Sequence, residues 1–223
     1  MTKATLKSAD GKTWQKAKSE NTRTLILDAA IECFYDLGYN NTTTEKIAKK
    51  ANVSRGAMLH HFSSRKTLIK ATVEHLAQKR LDLFESQETK IQEKEEHTLI
   101  SEGIDAYWEQ LHSPLFIVFH ELQVASRTDS ELHSVMMPAL KKLEDSWKNA
   151  SIRVFPDLAQ SKAFNTANML TAYFLEGMAV SSAVRGPVPK KMVTWLKGQL
   201  TSMFEDVRDV KRKVIVKSPK KKK

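Results

Sequence analysis

The sequence predicts an all-helical fold of about nine helices. Apolar side chains recur at helical spacing in most segments of the 223-residue chain. Breaks that contain proline or glycine separate these segments, for example at Ser113-Pro114 and at Gly186-Pro187-Val188-Pro189. No alternating strand pattern or glycine-rich hairpin turn competes with the helical periodicity. At this length the chain has room for a small domain followed by a larger one.

Composition narrows the classes of protein and of site that the chain can represent. The hydrophobic content of 41% is adequate for a buried core, and no run of 18 or more apolar residues indicates a membrane span. The N-terminus lacks a secretory apolar segment, so we expect a cytoplasmic protein with no membrane partner. The single cysteine, Cys33, excludes an internal disulfide and a cysteine-rich zinc site, and its spacing predicts a core residue.

The formal net charge of +10 is unevenly distributed along the chain. Residues 1–80 have a net charge of +8, residues 81–210 have −6, and residues 211–223 have +8. A basic head, an acidic body and a basic tail predict that polyanion binding belongs to the two ends of the chain.

The N-terminal 37 residues divide into an arm and a helix. Residues 1–20 contain five lysines and no sustained period, which predicts a flexible basic arm. An arm of this kind suits extra contact with DNA phosphates or a minor groove, although a solvated start without a DNA role is slightly favoured. A helix is predicted over residues 21–37, and Gly38 is placed to end it. Its inward positions are Ile26, Ala30, Cys33, Phe34 and Leu37.

Residues 43–62 predict two short helices joined by a tight turn. Thr44 is expected to cap the first helix with its hydroxyl, and Ser54 is expected to cap the second. Asn52 stands where the chain must turn sharply, since Asn tolerates the left-handed backbone conformation. This is the arrangement of a helix-turn-helix, in which the start of the second helix reads base edges in the major groove. The buried side of the second helix is predicted to be Met58 and Phe62.

Four motifs in this part of the chain follow a recognisable order and spacing. They are Ala29-Ala30…Phe34…Gly38-Tyr39, Thr43-Thr44…Ile47-Ala48…Ala51, Val53-Ser54…Gly56 and His61-Phe62…Arg65…Leu68. In these motifs residues 23–68 resemble the N-terminal domain of the TetR family of bacterial transcriptional regulators. The resemblance covers about a fifth of the chain and implies a helix-turn-helix DNA-binding domain over residues 21–68.

The resemblance implies DNA-binding roles for several residues. Arg55 and Gly56 take positions that contact base edges in family complexes, with Ala57 beside them. An arginine there can donate two hydrogen bonds to guanine. Glu45 sits where a family member can touch a base, although a solvated first-turn acid is the favoured interpretation. The positions that match phosphate contacts are Thr44, His61 and Arg65.

One position departs from the family pattern. Family members usually have a tyrosine that reaches the DNA backbone where this chain has Leu59, and leucine cannot donate a hydrogen bond. The residue that replaces this contact is left open. His60 and the basic arm are the candidates, so His60 joins the predicted DNA-binding residues.

Residues 69–210 are predicted to form a helical effector-binding and dimerisation domain. After a long helix that begins at Arg65, further helices are predicted near residues 98–112, 114–127, 130–153, 160–184 and 189–209. The resemblance implies a largely apolar small-molecule pocket, although each candidate residue is individually more typical of a plain core. No histidine or carboxylate shows a metal-ligand spacing. The candidate pocket residues are Trp108, His112, Phe116, Phe119, His120, Met136, Trp147 and Phe174.

The last two predicted helices resemble the pair through which family members form a two-fold four-helix bundle. Their apolar faces are broad, which favours a homodimer over a monomer. Residues 211–223 contain eight positive charges and are predicted to be a disordered lysine-rich tail. The candidate interface residues are Ala172, Leu175, Ala179, Ala183, Trp195, Leu200 and Phe204.

Together these features favour a sequence-specific DNA-binding transcriptional regulator. By resemblance it is expected to be a repressor that binds a palindromic operator as a homodimer and is released by a small-molecule effector. The alternative is an architectural or nucleoid-associated DNA-binding protein of the same fold, which the basic arm and tail suggest. The chain has no GxGxxG, phosphate-loop, HExxH or nucleophile-elbow motif, so neither catalysis nor a cofactor is expected.

Overall fold

Helices account for all the regular structure that is described. The computed structural model of the protein describes the backbone of residues 3–92 and 98–217, and the side chains of residues 14–89, 91 and 98–208. Within these ranges there are nine α-helices and no strand, which confirms the predicted fold class. The helices are α1 (Lys3–Leu37), α2 (Thr44–Lys50), α3 (Arg55–His61), α4 (Arg65–Gln92), α5 (Leu99–Leu111), α6 (Pro114–Ala125), α7 (Ser130–Val154), α8 (Lys162–Arg185) and α9 (Lys190–Lys217).

The described chain divides into two compact units. The head unit comprises the residues up to Lys79 together with Val118–Leu140. The body unit comprises Arg80–Ile117 and the residues from Lys141 onward. This division differs from the predicted boundary at residue 68, because residues 69–79 and 118–140 group with the helix-turn-helix.

The N-terminal helix α1 begins much earlier than the sequence predicts. Residues 3–20, interpreted above as a flexible arm, form part of one continuous helix. All side chains from residue 14 to residue 20 are exposed, so the helix preference of lysine, alanine and glutamate sustains this segment without an apolar face. The Lys16 ammonium also lies 4.0 Å from the Glu20 carboxylate one turn later, a spacing that adds slightly to helix stability.

The lysine-rich tail is likewise more ordered than predicted. Helix α9 extends to Lys217, so residues 211–217 are helical and the prediction of a disordered tail is wrong over that stretch. The rest of the predicted tail lies outside the described residues.

The core of the head unit joins the first three helices to the start of α4. Ile26 and Leu68 are almost completely buried in it, and Phe34, which was also predicted to face inward, is buried as well. Cys33 is buried as predicted, and this burial raises the pKa of its thiol. Leu37, which was predicted to face inward, is instead exposed, because it is the last residue of α1. The core residues are Ile26, Leu27, Ala29, Ala30, Cys33, Ile47, Ala48, Met58, Phe62, Leu68 and Ala71.

Local capping chemistry shapes the helix-turn-helix itself. Asn52 has a φ of 53°, which confirms its predicted left-handed conformation between α2 and α3. The Ser54 hydroxyl accepts a hydrogen bond from the Ala57 amide at 3.1 Å, which confirms the predicted cap of α3. The cap of α2 is Thr43 rather than Thr44, because the helix starts one residue earlier than predicted and the Thr43 hydroxyl accepts a hydrogen bond from the Lys46 amide.

The link between α1 and α2 is fixed by acidic side chains from elsewhere in the head unit. Gly38 ends α1 with a φ of 78°, as predicted. The Tyr39 amide donates to Glu121 Oε1 at 2.6 Å, and the Tyr39 hydroxyl donates to Asp129 Oδ2 at 2.8 Å. The Arg65 guanidinium lies over the Tyr39 ring, 5.1 Å from its centroid. We call this arrangement the Tyr39 joint, and through it residues 118–140 hold the entry to the helix-turn-helix.

A second polar cluster ties α1 to α4 within the head unit. Asp28 Oδ1 accepts a hydrogen bond from the Lys79 ammonium at 2.6 Å and lies 2.8 Å from His75 Nε2. Burial opposes ionisation of Asp28, but the hydrogen bonds with Lys79 and His75 outweigh it and lower the pKa of this carboxyl. Asp28 is therefore an anion at neutral pH and fixes the two helices relative to each other.

The body unit packs α5, α8 and α9 around an apolar core. Gly186 ends α8 with a φ of 93°. The Arg153 guanidinium donates hydrogen bonds of 2.8 and 2.6 Å to the two oxygens of Glu88, which pairs the charge of that buried carboxylate. The buried core residues are Ile100, Ile104, Tyr107, Leu111, Phe116, Leu158, Phe164, Ala167, Leu175, Ala179, Leu200 and Phe204.

The described part of the chain has neither a candidate membrane span nor a candidate metal site. No helix there has both the length and the apolar character that a bilayer crossing requires. Nor do its histidine, cysteine and carboxylate side chains gather in a group of three that could hold a metal ion.

Gly38→Ala is expected to lower the free energy of unfolding by about 1–2 kcal/mol, because φ is left-handed there. The added Cβ would also lie 3.0 Å from Glu121 Oε1. Urea denaturation measures the change. Gly103→Ala in α5 is the matched control, since a Cβ there meets no atom within 4 Å. A Gly38→Ala midpoint equal to that of the wild type would contradict the role of Gly38 in the Tyr39 joint.

Candidate nucleic-acid interface

Helix α3 presents one buried side and one exposed side. Met58 and the adjoining cap residue Phe62 are buried in the head core, so the opposite side of the helix is turned to solvent. Four exposed residues make up what we call the reading face of α3. They are Arg55, Gly56, Leu59 and His60.

Arg55 stands at the start of the reading face and has an acidic neighbour. Its Nη1 lies 3.9 Å from Oε1 of Glu45 in the first turn of α2, and both side chains are 76% exposed. An exposed pair at this distance is weak, so a better partner such as a guanine edge can displace it. The structure thus brings Glu45 and Arg55 together. Glu45 lies in the first turn of α2, as the sequence interpretation expected, and is also close enough to orient the Arg55 side chain.

Gly56 leaves the first turn of α3 without a side chain. Its φ is not left-handed, and an added Cβ would come no closer than 3.9 Å to its nearest neighbour, Ser54 Oγ. The free protein therefore does not need glycine at this position. Glycine at this position would instead allow the backbone of α3 to approach another molecule closely. Ala57, also predicted to contact DNA, is half-buried and contributes its amide to the α3 cap.

The two histidines at the end of α3 differ in environment. His60 is exposed, whereas His61 is half-buried beside it, with ring centroids 5.5 Å apart. Burial, together with His60 and the Arg23 guanidinium, lowers the pKa of His61. His61 is therefore neutral at pH 7, and a neutral imidazole can still donate one hydrogen bond to a phosphate oxygen.

A cleft of about 340 Å³ adjoins the reading face. Thr44 and Arg65, predicted phosphate contacts, both line it. The sequence interpretation gave no DNA-binding role to the other polar residues there, because they lie in the links before α2 and before α4, and of them only Thr43 belongs to a motif. The loop polarity of Tyr39-Asn40-Asn41 and Ser63-Ser64 was the available signal. The additional polar lining residues are Asn40, Thr42, Thr43 and Ser64, and the apolar ones are Met58, Leu59, Phe62 and Leu68.

The lysines of α2 are largely engaged within their own chain. Lys50 forms ion pairs with Glu32 at 3.1 Å and with Asp36 at 3.2 Å. The Lys46 ammonium donates to the carbonyl oxygen of Asn41 at 2.8 Å. The two carboxylates beside Lys50 compensate its charge, so this part of α2 is less positive toward an incoming polyanion than its sequence indicates.

The predicted effector-pocket residues are divided between the two units. Phe119, His120 and Met136 belong to the head unit, where Phe119 and Met136 are buried. Phe174 lies on α8 of the body unit and is 53% exposed. It is therefore a surface residue of the single chain, which corrects its assignment to an enclosed pocket.

The other four candidate residues lie in the body unit, and two of them form a pair. The rings of Trp108 and His112 meet edge to face with centroids 4.4 Å apart. The Lys197 ammonium lies over the Trp108 ring at 5.9 Å. His112 is exposed and its Nδ1 lies 2.8 Å from the Trp108 carbonyl oxygen, so its position follows from local helix geometry.

Trp147 and Phe116 belong to a separate group that contains buried polar atoms. The Trp147 ring lies against Phe84 and Tyr107, with centroid distances of 4.7 and 4.3 Å. The Tyr107 hydroxyl donates to Glu176 Oε1 at 2.5 Å. Burial and the Glu176 carboxylate both raise the pKa of Tyr107.

A half-buried arginine completes this group, which we call the body polar cluster. The Arg80 guanidinium lies over the Phe116 ring, 5.6 Å from its centroid. Burial lowers the pKa of Arg80, while Tyr107 and Glu176 oppose that shift. The cluster thus combines one carboxylate, one guanidinium and one phenol with aromatic rings. Sequence analysis named Trp147 and Phe116 but did not assign Arg80 or Tyr107 to a pocket.

The predicted dimer-interface residues also separate into two groups. Leu175, Ala179, Leu200 and Phe204 are buried within their own chain, so they have no surface to offer a second copy. Ala172 is half-buried, while Ala183 and Trp195 are exposed. Among the side chains of α8 and α9 that the structure describes, the exposed large apolar ones are Met169, Leu170, Tyr173, Phe174, Val184, Met192 and Trp195.

Comparison with known proteins identifies the class to which this arrangement belongs. The model of the bacterial regulatory proteins of the tetR family matches residues 26–72. The uncharacterised HTH-type transcriptional regulator TtgW of Pseudomonas putida is 30% identical over 125 residues, which cover 55% of this chain and 89% of TtgW. The chain belongs to the TetR family.

Further relatives of this TetR-family protein are also transcriptional regulators. An uncharacterised HTH-type transcriptional regulator of Mycobacterium tuberculosis is 25% identical over 176 residues, which cover 79% of this chain and 88% of that protein. The HTH-type transcriptional regulator SrpR of Pseudomonas putida is 30% identical over 125 residues, or 55% of this chain and 56% of SrpR. The protein is accordingly a DNA-binding transcriptional regulator and not an enzyme.

Solved structures share its fold. The multidrug binding protein EbrR, crystallised with imidazole, has a TM-score of 0.56 and 17% identity, over 81% of this chain and 93% of EbrR. A TetR-family member from Streptomyces coelicolor has a TM-score of 0.57 and 18% identity, over 80% of this chain and 97% of that protein. At these identities the comparison establishes the fold alone.

Gly56→Ala is expected to separate folding from DNA binding in this TetR-family regulator. The substitution should leave the free energy of unfolding unchanged or raise it by up to about 1 kcal/mol, since alanine is the better helix former and has room. Affinity for a DNA site that the wild-type protein selects from random duplex DNA should fall about tenfold or more, because the added methyl group would hold the reading face away from the base edges. Urea denaturation and fluorescence anisotropy measure the two effects. Full DNA affinity in a folded Gly56→Ala variant would show that α3 does not approach DNA closely at this residue.

Proposed function

We propose that this regulator is a repressor that binds a palindromic operator as a homodimer and is released by a small-molecule effector in the cytoplasm. Residues 21–68 form the DNA-binding domain in this proposal, and residues 69–210 form the effector-binding and dimerisation domain.

The single observation that most supports operator binding is the reading face of α3. A seven-residue helix is held by its buried Met58 and capped by Ser54, and it turns an arginine and a glycine outward at its first turn. Arginine can recognise guanine with two hydrogen bonds, and glycine permits close approach. Thr44 and Arg65 flank this face across the adjoining cleft, where hydroxyl and guanidinium groups suit phosphate contacts.

Unpaired apolar surface on α8 and α9 supports a homodimer. Tyr173 and Trp195 are among the most exposed large apolar residues described, and both helices bury their opposite sides in the body core. A second copy of the same two helices offers a matching surface, as a two-fold axis requires. Two reading faces related by that axis read a palindrome whose half-sites lie about one DNA turn, roughly 34 Å, apart.

The body polar cluster supports binding of a small molecule. Sites for small molecules are mostly apolar and aromatic, with a few polar groups that fix the orientation of the ligand. Trp147, Tyr107 and Phe116 supply the rings, and Glu176 and Arg80 supply the charges. The structurally similar EbrR is described as a multidrug binding protein, which agrees with a largely apolar effector for this chain as well.

An architectural DNA-binding protein of the same fold is the competing proposal. The helical basic ends favour it, because lysines that bind phosphates do not read sequence. The two proposals differ in where the binding energy arises. A regulator depends on the reading face, whereas an architectural protein depends on the ends of the chain.

Genome-wide DNA capture with the purified protein at moderate salt distinguishes the two. We expect a few sharp palindromic peaks that Arg55→Ala removes, since losing an arginine–guanine contact costs about 1–3 kcal/mol at each half-site. Arg127→Ala is the matched control, because Arg127 is an exposed arginine of the head unit that is not part of α3. Diffuse capture that Arg55→Ala leaves unchanged would exclude the operator-binding regulator and favour the architectural protein.

Trp195→Asp is expected to convert the dimer to a monomer of 25.3 kDa, the mass of one chain. A charge placed in an apolar interface must be desolvated without a partner, which opposes association. Sedimentation equilibrium measures the mass of the variant. Ile152→Asp is the matched control, since Ile152 is also an exposed apolar residue but lies on α7. A wild-type protein that sediments as a monomer would disprove the proposed homodimer.

A further inference from the structure

Leu59 is the large apolar side chain that the helix-turn-helix leaves in solvent. Every residue of α2 and α3 is described, and among their large apolar side chains Leu59 alone is exposed, at 46%. Isolated exposed leucines are common on protein surfaces and mean little by themselves. Leu59, however, lies on the reading face of α3, where an exposed apolar side chain can contact DNA.

Leu59 lies one helical turn beyond the residues that meet base edges. It follows Arg55 by four positions and Gly56 by three, so all three share one side of α3. The Leu59 side chain also lines the cleft to which Thr44 and Arg65 contribute. It therefore stands between the base-reading start of α3 and the predicted phosphate contacts.

The chemistry of leucine restricts what it can recognise at that position. Its side chain neither donates nor accepts a hydrogen bond, so pressing it against a donor or acceptor on a base edge would desolvate that group without compensation. In the major groove the thymine C5-methyl group is the apolar feature that distinguishes one base pair from the others. We infer that Leu59 packs against the C5-methyl group of a thymine in each half-site and selects for that base.

This inference rests on the proposed operator binding and adds a sequence preference to it. Arg55 specifies a guanine by hydrogen bonds, while Leu59 specifies a thymine on the same strand or its complement by apolar contact. The departure from tyrosine at this position then exchanges a contact with the DNA backbone for a contact with a base.

The test begins by selecting the preferred binding site of the wild-type protein from random duplex DNA. Each thymine of one half-site is then replaced singly by deoxyuridine, which removes the C5-methyl group and keeps every hydrogen-bonding atom. We expect one position at which this replacement weakens wild-type binding about fourfold, the equivalent of roughly 0.8 kcal/mol for one buried methyl group. Fluorescence anisotropy measures the affinities.

Leu59→Ala completes a double-mutant cycle with that methyl group. The variant should bind the thymine site more weakly than the wild type but should no longer distinguish thymine from deoxyuridine at the identified position. Leu59 is half exposed and outside the head core, so the variant is expected to keep the wild-type melting temperature. His60→Ala, which alters the neighbouring residue of the same face, is the control and should retain the full fourfold methyl effect.

The possible failures separate the inference from the proposed function. If a defined site is selected and Arg55→Ala abolishes binding to it, but no deoxyuridine replacement distinguishes wild type from Leu59→Ala, then Leu59 contacts sugar or solvent and the inference is wrong while operator binding stands. If no site is selected from random DNA, operator binding fails and the inference fails with it.

Discussion

Burial of Met58 and Phe62 is the constraint on which the DNA-binding surface depends. Helix α3 has seven residues, too few to be stable as an isolated helix in water. Helix α3 is stable because Met58 and Phe62 pack in the head core, and this packing also sets the orientation of the helix. Every exposed residue of α3 takes its direction from that packing. The Tyr39 joint, and the contacts of Asp28 with His75 and Lys79, then fix the helices that surround the core.

The parts of the fold that were predictable depend on chemistry between near neighbours in sequence. Asn52 and Gly38 adopt left-handed conformations, and Ser54 caps α3. Each of these features depends only on residues within about four positions in the sequence, so a local pattern can predict it. Two adjacent threonines made the cap of α2 ambiguous. The helical arm escaped prediction because its sequence has no apolar period to detect, and its described side chains, from residue 14 to residue 20, are all exposed. Glu121 meets Tyr39 across 82 positions, a distance that no local pattern spans.

The sequence predicted where the candidate sites lie better than it predicted which contacts their side chains make. Family motifs located the start of α3, but counting charges could not show that Lys50 is paired with Glu32 and Asp36 or that Arg55 lies beside Glu45. Apolar periodicity likewise cannot separate a core from an interface, since both are apolar. Leu175 therefore proved to be a core residue while its near neighbour Tyr173 is on the surface.

The burial of Cys33 has a practical consequence for studying conformational change in this protein. Thiol-directed dyes react with the thiolate, and a buried thiol with a raised pKa offers little of it at neutral pH. The natural chain thus behaves toward such dyes almost as a cysteine-free background. A single cysteine introduced at an exposed site would be labelled selectively, and in a two-copy assembly it would supply a symmetric pair of probes for measuring the separation of the two heads by energy transfer.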